Sequence, residues 1–158
     1  MLRVRVNTKG LKNFQREIQK LEKQSEREEL IRECLIEIAG KMLADVKSRT
    51  PSRTGRLRNA WRIESIRQVG SLYEVIVENK AEYASFVEYG FESHFVPGYW
   101  VGNMFVYDKN SKDGMYVGKP GTRVPGRYML KITTKQIQNV MSRIIKQKTK
   151  RFLERRLK

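Results

Sequence analysis

Cysteine and histidine are almost missing from this chain of 158 residues, with one of each, Cys34 and His94. A single thiol excludes a disulfide within the chain and gives no sign of a secreted, oxidised setting, so an intracellular origin is expected. With one thiol and one imidazole, neither a Cys/His zinc cluster nor a histidine-dependent triad with spare parts can be assembled within one chain. Aspartate is scarce too. Asp45, Asp108 and Asp113 are too scattered along the sequence to suggest a two-metal nuclease site. No segment reaches the roughly 18 consecutive apolar residues of a membrane span, and the start, MLRVRVNTKG, lacks the apolar centre of a signal peptide. A soluble protein without membrane contact is expected. GKPGTR, Gly118 to Arg123, is basic and glycine-rich but lacks the P-loop spacing, so it is rejected as a nucleotide site. No catalytic residue, metal site or cofactor is expected.

Positive charge is what the chain has in excess: Lys and Arg total 33 against 17 Asp and Glu, a net +16. Such a surplus signals an anionic partner such as nucleic acid, or close neighbours that neutralise it. The length suits one domain spanning 1–158 with extended appendages.

Patterning gives an α+β fold: amphipathic helices packed on a small, mainly antiparallel sheet, with a projecting loop or hairpin over 91–126 and a long basic C-terminal helix whose tail is 146–158. Leu2, Val4 and Val6 alternate with Arg3 and Arg5 as in a strand. Leu11, Phe14, Ile18 and Leu21 recur at helical spacing. Ser25 with Glu28 has the form of a capping box opening a second helix, which carries Leu30, Ile31, Cys34, Leu35, Ile38, Met42 and Leu43 on one side as a stripe wide enough to face a core and runs to about Ser48. Cys34 on that stripe is read as a core residue, and His94 as an ordinary loop residue.

From Leu57 the period becomes two, with Trp61 and Ile63 opposite Arg62 and Glu64. Val69-Gly70-Ser71 turns the chain into a second strand over Leu72 to Glu78, in which Tyr73, Val75 and Val77 alternate with Glu74, Ile76 and Glu78. AEYASFVEYG reads as a short helix with Tyr83, Phe86 and Val87 on one face and Gly90 as its left-handed cap. Phe91 to Gly126 is the least regular stretch, with short strands expected only at Tyr99 to Tyr107 and Met115 to Gly118. Met129, Ile132, Ile137, Val140, Met141, Ile144 and Ile145 supply the apolar face of the last element.

TPSRTGRLRNAW, Thr50 to Trp61, sits between the second helix and the first hairpin strand. Pro51 disfavours helix at Thr50 and Gly55 turns at positive φ, so the stretch is read as a corner rather than a phosphate grip. Its order with AEYASFVEYG and then VPGRYMLKIT resembles the tail-component family of tailed bacteriophages and prophages, also called tail-completion or head-tail joining proteins. The matching positions are Thr50, Pro51, Thr54, Gly55, Leu57 and Arg58; then Tyr83, Ala84, Val87, Glu88 and Gly90; then Pro125, Tyr128 and Met129.

The resemblance implies a non-enzymatic virion protein of the neck or upper tail, present in the host cytoplasm during assembly. It would form a ring homo-oligomer, a hexamer, between the neck connector and the tail-terminator or tail-tube proteins, with double-stranded DNA passing through and contacted non-specifically. On that reading Arg53, Arg56, Lys146, Lys148, Lys150, Arg151, Arg155 and Arg156 are the candidates for DNA or subunit contacts. Two rivals stand beside it: a non-specific nucleic-acid-binding protein acting outside a virion, and an enzyme such as a nuclease.

Overall fold

A computed structural model describes residues 1–7, 16, 18, 19, 21, 23–70 and 72–156. The fold is mixed helix and sheet, and the chain divides into two compact units, one formed by Met1–Ala84 with Met129–Lys158 and one by Ser85–Tyr128.

The first unit is built on a three-stranded antiparallel sheet in the order β1-β3-β2, with β1 at Leu2–Asn7, β2 at Trp61–Val69 and β3 at Leu72–Asn79. Two long helices complete it: α1, Gln24–Arg49, and α4, Met129–Arg156. A one-turn helix, α2, occupies Arg56–Asn59. Helix α1 buries Leu30, Ile31, Cys34, Leu35, Ile38, Ala39, Met42 and Val46, while α4 buries Met129, Leu130, Ile137, Met141, Ile144, Ile145 and Phe152. These stripes recur at three- and four-residue spacing, so one face of each helix is withdrawn from water. Each fully buried Leu or Ile stabilises the fold by roughly 1.5–3 kcal/mol.

The first-unit expectations need four corrections. The helix does not open on a capping box: its N-cap is Lys23, with no side-chain cap, and Ser25 already lies inside the first turn. Leu57 is not in a strand, because Gly55, at φ +80°, starts the turn of α2 first and β2 begins at Trp61. Ile132 is 41% exposed, and Leu130 and Thr133 take the buried positions beside it. Strand β3 is buried on both faces, not one, since it is the central strand and arginines from both neighbours cover Glu74 and Glu78. In the preceding amphipathic segment, Leu11 and Phe14 lie outside the described residues; Ile18 is helical and Leu21 is buried. Gly70 turns the hairpin at φ +60° as expected, and Ser71 beside it lies outside the described residues.

The second unit holds more strands than the expected loop or hairpin with two. After α3, which starts at Ala84 and ends at Tyr89, come β4 (Gly90–Glu92), β5 (His94–Val101), β6 (Met104–Tyr107), β7 (Gly114–Val117) and β8 (Arg123–Pro125). Strands β4 and β8 pair with each other, and β6-β5-β7 form a second antiparallel sheet. The two halves of β5 use different partners, His94 to Pro97 facing β7 and Gly98 to Val101 facing β6. Short strands divided by Gly98, Gly102 and Gly114 hide this pattern from a periodicity search. The apolar face expected of α3 holds only at Val87, which is half-buried: Tyr83 and Phe86 are exposed, whereas Ala84 and Glu88 are buried.

Candidate functional site

The stretch Thr50 to Trp61 folds as a corner whose parts hold one another. Pro51 leaves Thr50 extended, at φ −76° and ψ 122°, so α1 stops there. The Thr50 hydroxyl donates to the Val46 carbonyl at 2.6 Å and accepts the Trp61 indole N–H at 2.8 Å, with both Thr50 and Trp61 buried. The Thr54 hydroxyl accepts the Arg56 amide at 3.4 Å, Gly55 supplies the left-handed turn, and the Arg58 guanidinium donates to the Thr50 carbonyl at 3.1 Å. Leu57 is buried, and its carbonyl accepts from the Asn79 side chain at 2.8 Å; the Asn79 oxygen in turn accepts the Ala81 amide at 3.0 Å. Every motif position here closes the junction of helix, turn and hairpin. Arg53 and Arg56 are exposed.

Val87, Glu88 and Gly90 of the second motif meet Pro125 and Tyr128 of the third at another junction, inside the Ser85–Tyr128 unit. The Val87 and Glu88 carbonyls, left open where α3 ends, accept the amides of Arg127 and Tyr128 at 2.8 and 3.0 Å. Gly90, at φ +76°, pairs with Pro125, and a side chain there would overlap the Val124 carbonyl and the Gly126 amide. Gly126 is equally confined by the Glu88 carbonyl. Tyr128 takes φ +50°, rare for a residue with a side chain, immediately before α4 begins at Met129.

The basic candidates divide. Helices α1 and α4 run antiparallel, and glutamates of α1 take up part of the tail: Lys148 pairs with Glu37 at 3.0 Å, Arg155 with Glu33 at 2.7 Å, and Arg156 with Glu26 at 2.9 Å. Arg156 also lies over the Phe152 ring at 4.9 Å. Lys146, Lys150 and Arg151 are exposed, Lys150 with a 3.8 Å pair to Glu154 in its own helix. A further set of arginines lies on the polar positions of β1 and β2. Arg3 and Arg62 flank Glu78 at 3.1 and 2.6 Å, and Arg5 and Arg67 flank Glu74 at 3.5 and 3.3 Å. The alternation of Arg3 and Arg5 with apolar residues was the available signal. The hydrogen bond from Arg62 holds the Glu78 carboxyl below its ordinary range, against the opposing effect of desolvation.

Among the described residues no group of His, Cys, Asp and Glu is arranged to hold a metal ion. Burial pushes the Cys34 thiol up to about 12, with Lys148 pulling slightly the other way, so it carries essentially no thiolate at neutral pH. His94 is exposed, with Nδ1 3.1 Å from the Glu92 carbonyl. No described helix is long and apolar enough to cross a membrane.

Backbone junctions are what most of these motif positions hold together, and the class of the protein is shown by a family match: a tail-component family of bacteriophages. The chain belongs to the family described as "Bacteriophage HK97-gp10, putative tail-component", whose model matches residues 12–90. That span includes the corner and the α3 motif and ends at Gly90, so Pro125, Tyr128 and Met129 lie beyond it. No curated protein and no solved structure matches the chain.

Proposed function

We propose that this protein is a non-enzymatic structural subunit of the phage neck or upper tail, and that copies of it form a ring that joins the DNA-filled head to the tail and lets DNA pass. Family membership over residues 12–90 carries the proposal. The division of surface chemistry supports it. The Ser85–Tyr128 unit is close to neutral, with Lys109, Lys112, Lys119, Arg123 and Arg127 against Glu88, Glu92, Asp108 and Asp113, so nearly all of the +16 resides in the other unit. The neutral unit exposes Tyr99, Trp100, Met104, Tyr107 and Tyr116 at 49–65%, an apolar density suited to protein contact.

In this assembly the β5–β6 hairpin meets a neighbouring copy or a neck partner such as the connector, tail terminator or tail tube, and Arg53 and Arg56 serve either subunit contacts or the channel wall. Deleting the gene from its phage or prophage tests the role. Full heads and separate, complete tails that fail to join are expected; normal infectious particles would overturn the proposal. A non-specific nucleic-acid-binding role outside a virion is the second reading, favoured only by the net charge. It predicts normal particle joining in the deletion.

A further inference from the structure

We infer that the outward face of α4 is a binding site for the phosphate backbone of double-stranded nucleic acid, formed by Lys135, Arg143, Lys146 and Lys150. All four are exposed. At roughly 100° per residue they fall within an arc of about 80°, on the side of the helix opposite buried Leu130, Ile137, Met141 and Ile144. The stripe runs about 22 Å along the axis, a length over which a duplex presents about 13 phosphates.

Charge pattern separates this stripe from an ordinary solvated helix face. Solvated faces usually alternate sign so that neighbours three and four residues apart attract. Here Arg143 and Lys146 are three apart, and Lys146 and Lys150 four apart, with like charge, an arrangement that destabilises the helix unless an anion lies over it. The glutamates of α1 do not answer it, because Glu26, Glu33 and Glu37 are taken by Arg156, Arg155 and Lys148 on the helix seam. Glu154 is the sole acid of α4, and among the described residues it pairs with Lys150, at 3.8 Å with both side chains mostly exposed. A pair so open to water is weak. The stripe therefore offers several uncompensated cations in line, which suits a linear polyanion better than a compact ligand. The surface belongs to a single chain, so the inference stands or falls apart from ring formation.

The test is fluorescence anisotropy of a labelled 20-base-pair duplex with the full chain across a salt series. Neutralising each phosphate contact contributes about 0.9 to the slope of log K against log salt, so K135Q/R143Q/K146Q/K150Q should flatten the slope by about 3–4 and weaken binding more than tenfold, by roughly 10–100-fold at low salt. K109Q/K112Q/K119Q, which removes three cations from the other unit, should leave the slope within about one of the wild type. K135R/K146R/K150R should retain it. Far-UV circular dichroism should show the helix intact in the quadruple variant, which removes repulsion rather than packing. Absence of duplex binding by the wild type at about 50 mM salt, where phosphate-directed binding is strong, would overturn the inference. Equal flattening in the stripe and control variants would overturn it too, since net charge and not this face would then be responsible. Stripe-dependent binding to phosphatidylserine vesicles without duplex binding would assign the face to a membrane instead.

Discussion

Thr50→Val is the sharpest perturbation of the corner, because it nearly preserves volume while removing one hydroxyl. That hydroxyl joins Val46 to Trp61, at 2.6 and 2.8 Å, and both Thr50 and Trp61 are 1% exposed. Valine leaves the indole N–H in the interior with no acceptor. An orphaned buried donor costs about 1–3 kcal/mol, and the lost bond to the Val46 carbonyl adds about 0.5–1.5 kcal/mol, so a destabilisation of about 2–3 kcal/mol is expected. For a chain of this size, about 2–4 °C per kcal/mol gives a fall in Tm of roughly 5–10 °C. Thermal and urea unfolding of Thr50→Val, Trp61→Phe and the double variant measure the coupling. With phenylalanine at 61 there is no donor to orphan, so Thr50→Val should cost at least about 1 kcal/mol less than in the wild-type background. Equal costs in both backgrounds, within the roughly 0.3–0.5 kcal/mol of ordinary additivity, would refute the hydrogen-bonded corner.

Asn79→Leu removes the bridge between Leu57 and Ala81 and should cost about 1–3 kcal/mol by the same unfolding assay, one buried and one half-buried backbone group losing their partners. Gly90→Ala should disrupt the β4–β8 pair, since its methyl group meets backbone rather than a movable side chain; faster amide hydrogen exchange at Phe91 and Val124 reports this, and unchanged protection would contradict it. The Glu78 carboxyl is held below its ordinary value in the folded chain, so the unfolded state binds more protons as the pH falls. The stabilisation is present above the unfolded value, near 4.5, and is lost as pH falls through the lower folded one; Glu78→Gln should flatten the acid limb of Tm against pH. Cys34 should resist a thiol reagent at pH 8 in the folded state and react once the chain is unfolded, because its thiol is pushed up to about 12 by burial.

Much of the first unit is legible in the sequence because long periodic elements carry their own signal. The α1 stripe, the turn at Gly70 and the stop at Pro51 each follow from local chemistry. Burial of Glu74 and Glu78 is not local. It depends on β3 lying between two strands whose arginines close over it, and strand order does not appear in the spacing of a single segment. The regular second unit is obscured for a related reason: β5 divides its eight residues between two partners, so neither half is long enough to show a period. The motif residues are readable as positions but not as contacts. Thr50 and Trp61 are eleven residues apart, and Gly90 and Gly126 meet only once β4 and β8 have paired. The basic tail misleads in one respect, since Lys148, Arg155 and Arg156 resemble free cations until α1 is seen to present its glutamates to them.

Cryo-electron microscopy of assembled particles is the direct test of the proposed ring. A closed ring of copies at the junction of head and tail is expected, six of them, with the Ser85–Tyr128 unit against a neighbouring copy or neck protein and duplex DNA within the lumen. Copies found singly, or a ring away from the head-tail axis, would contradict it.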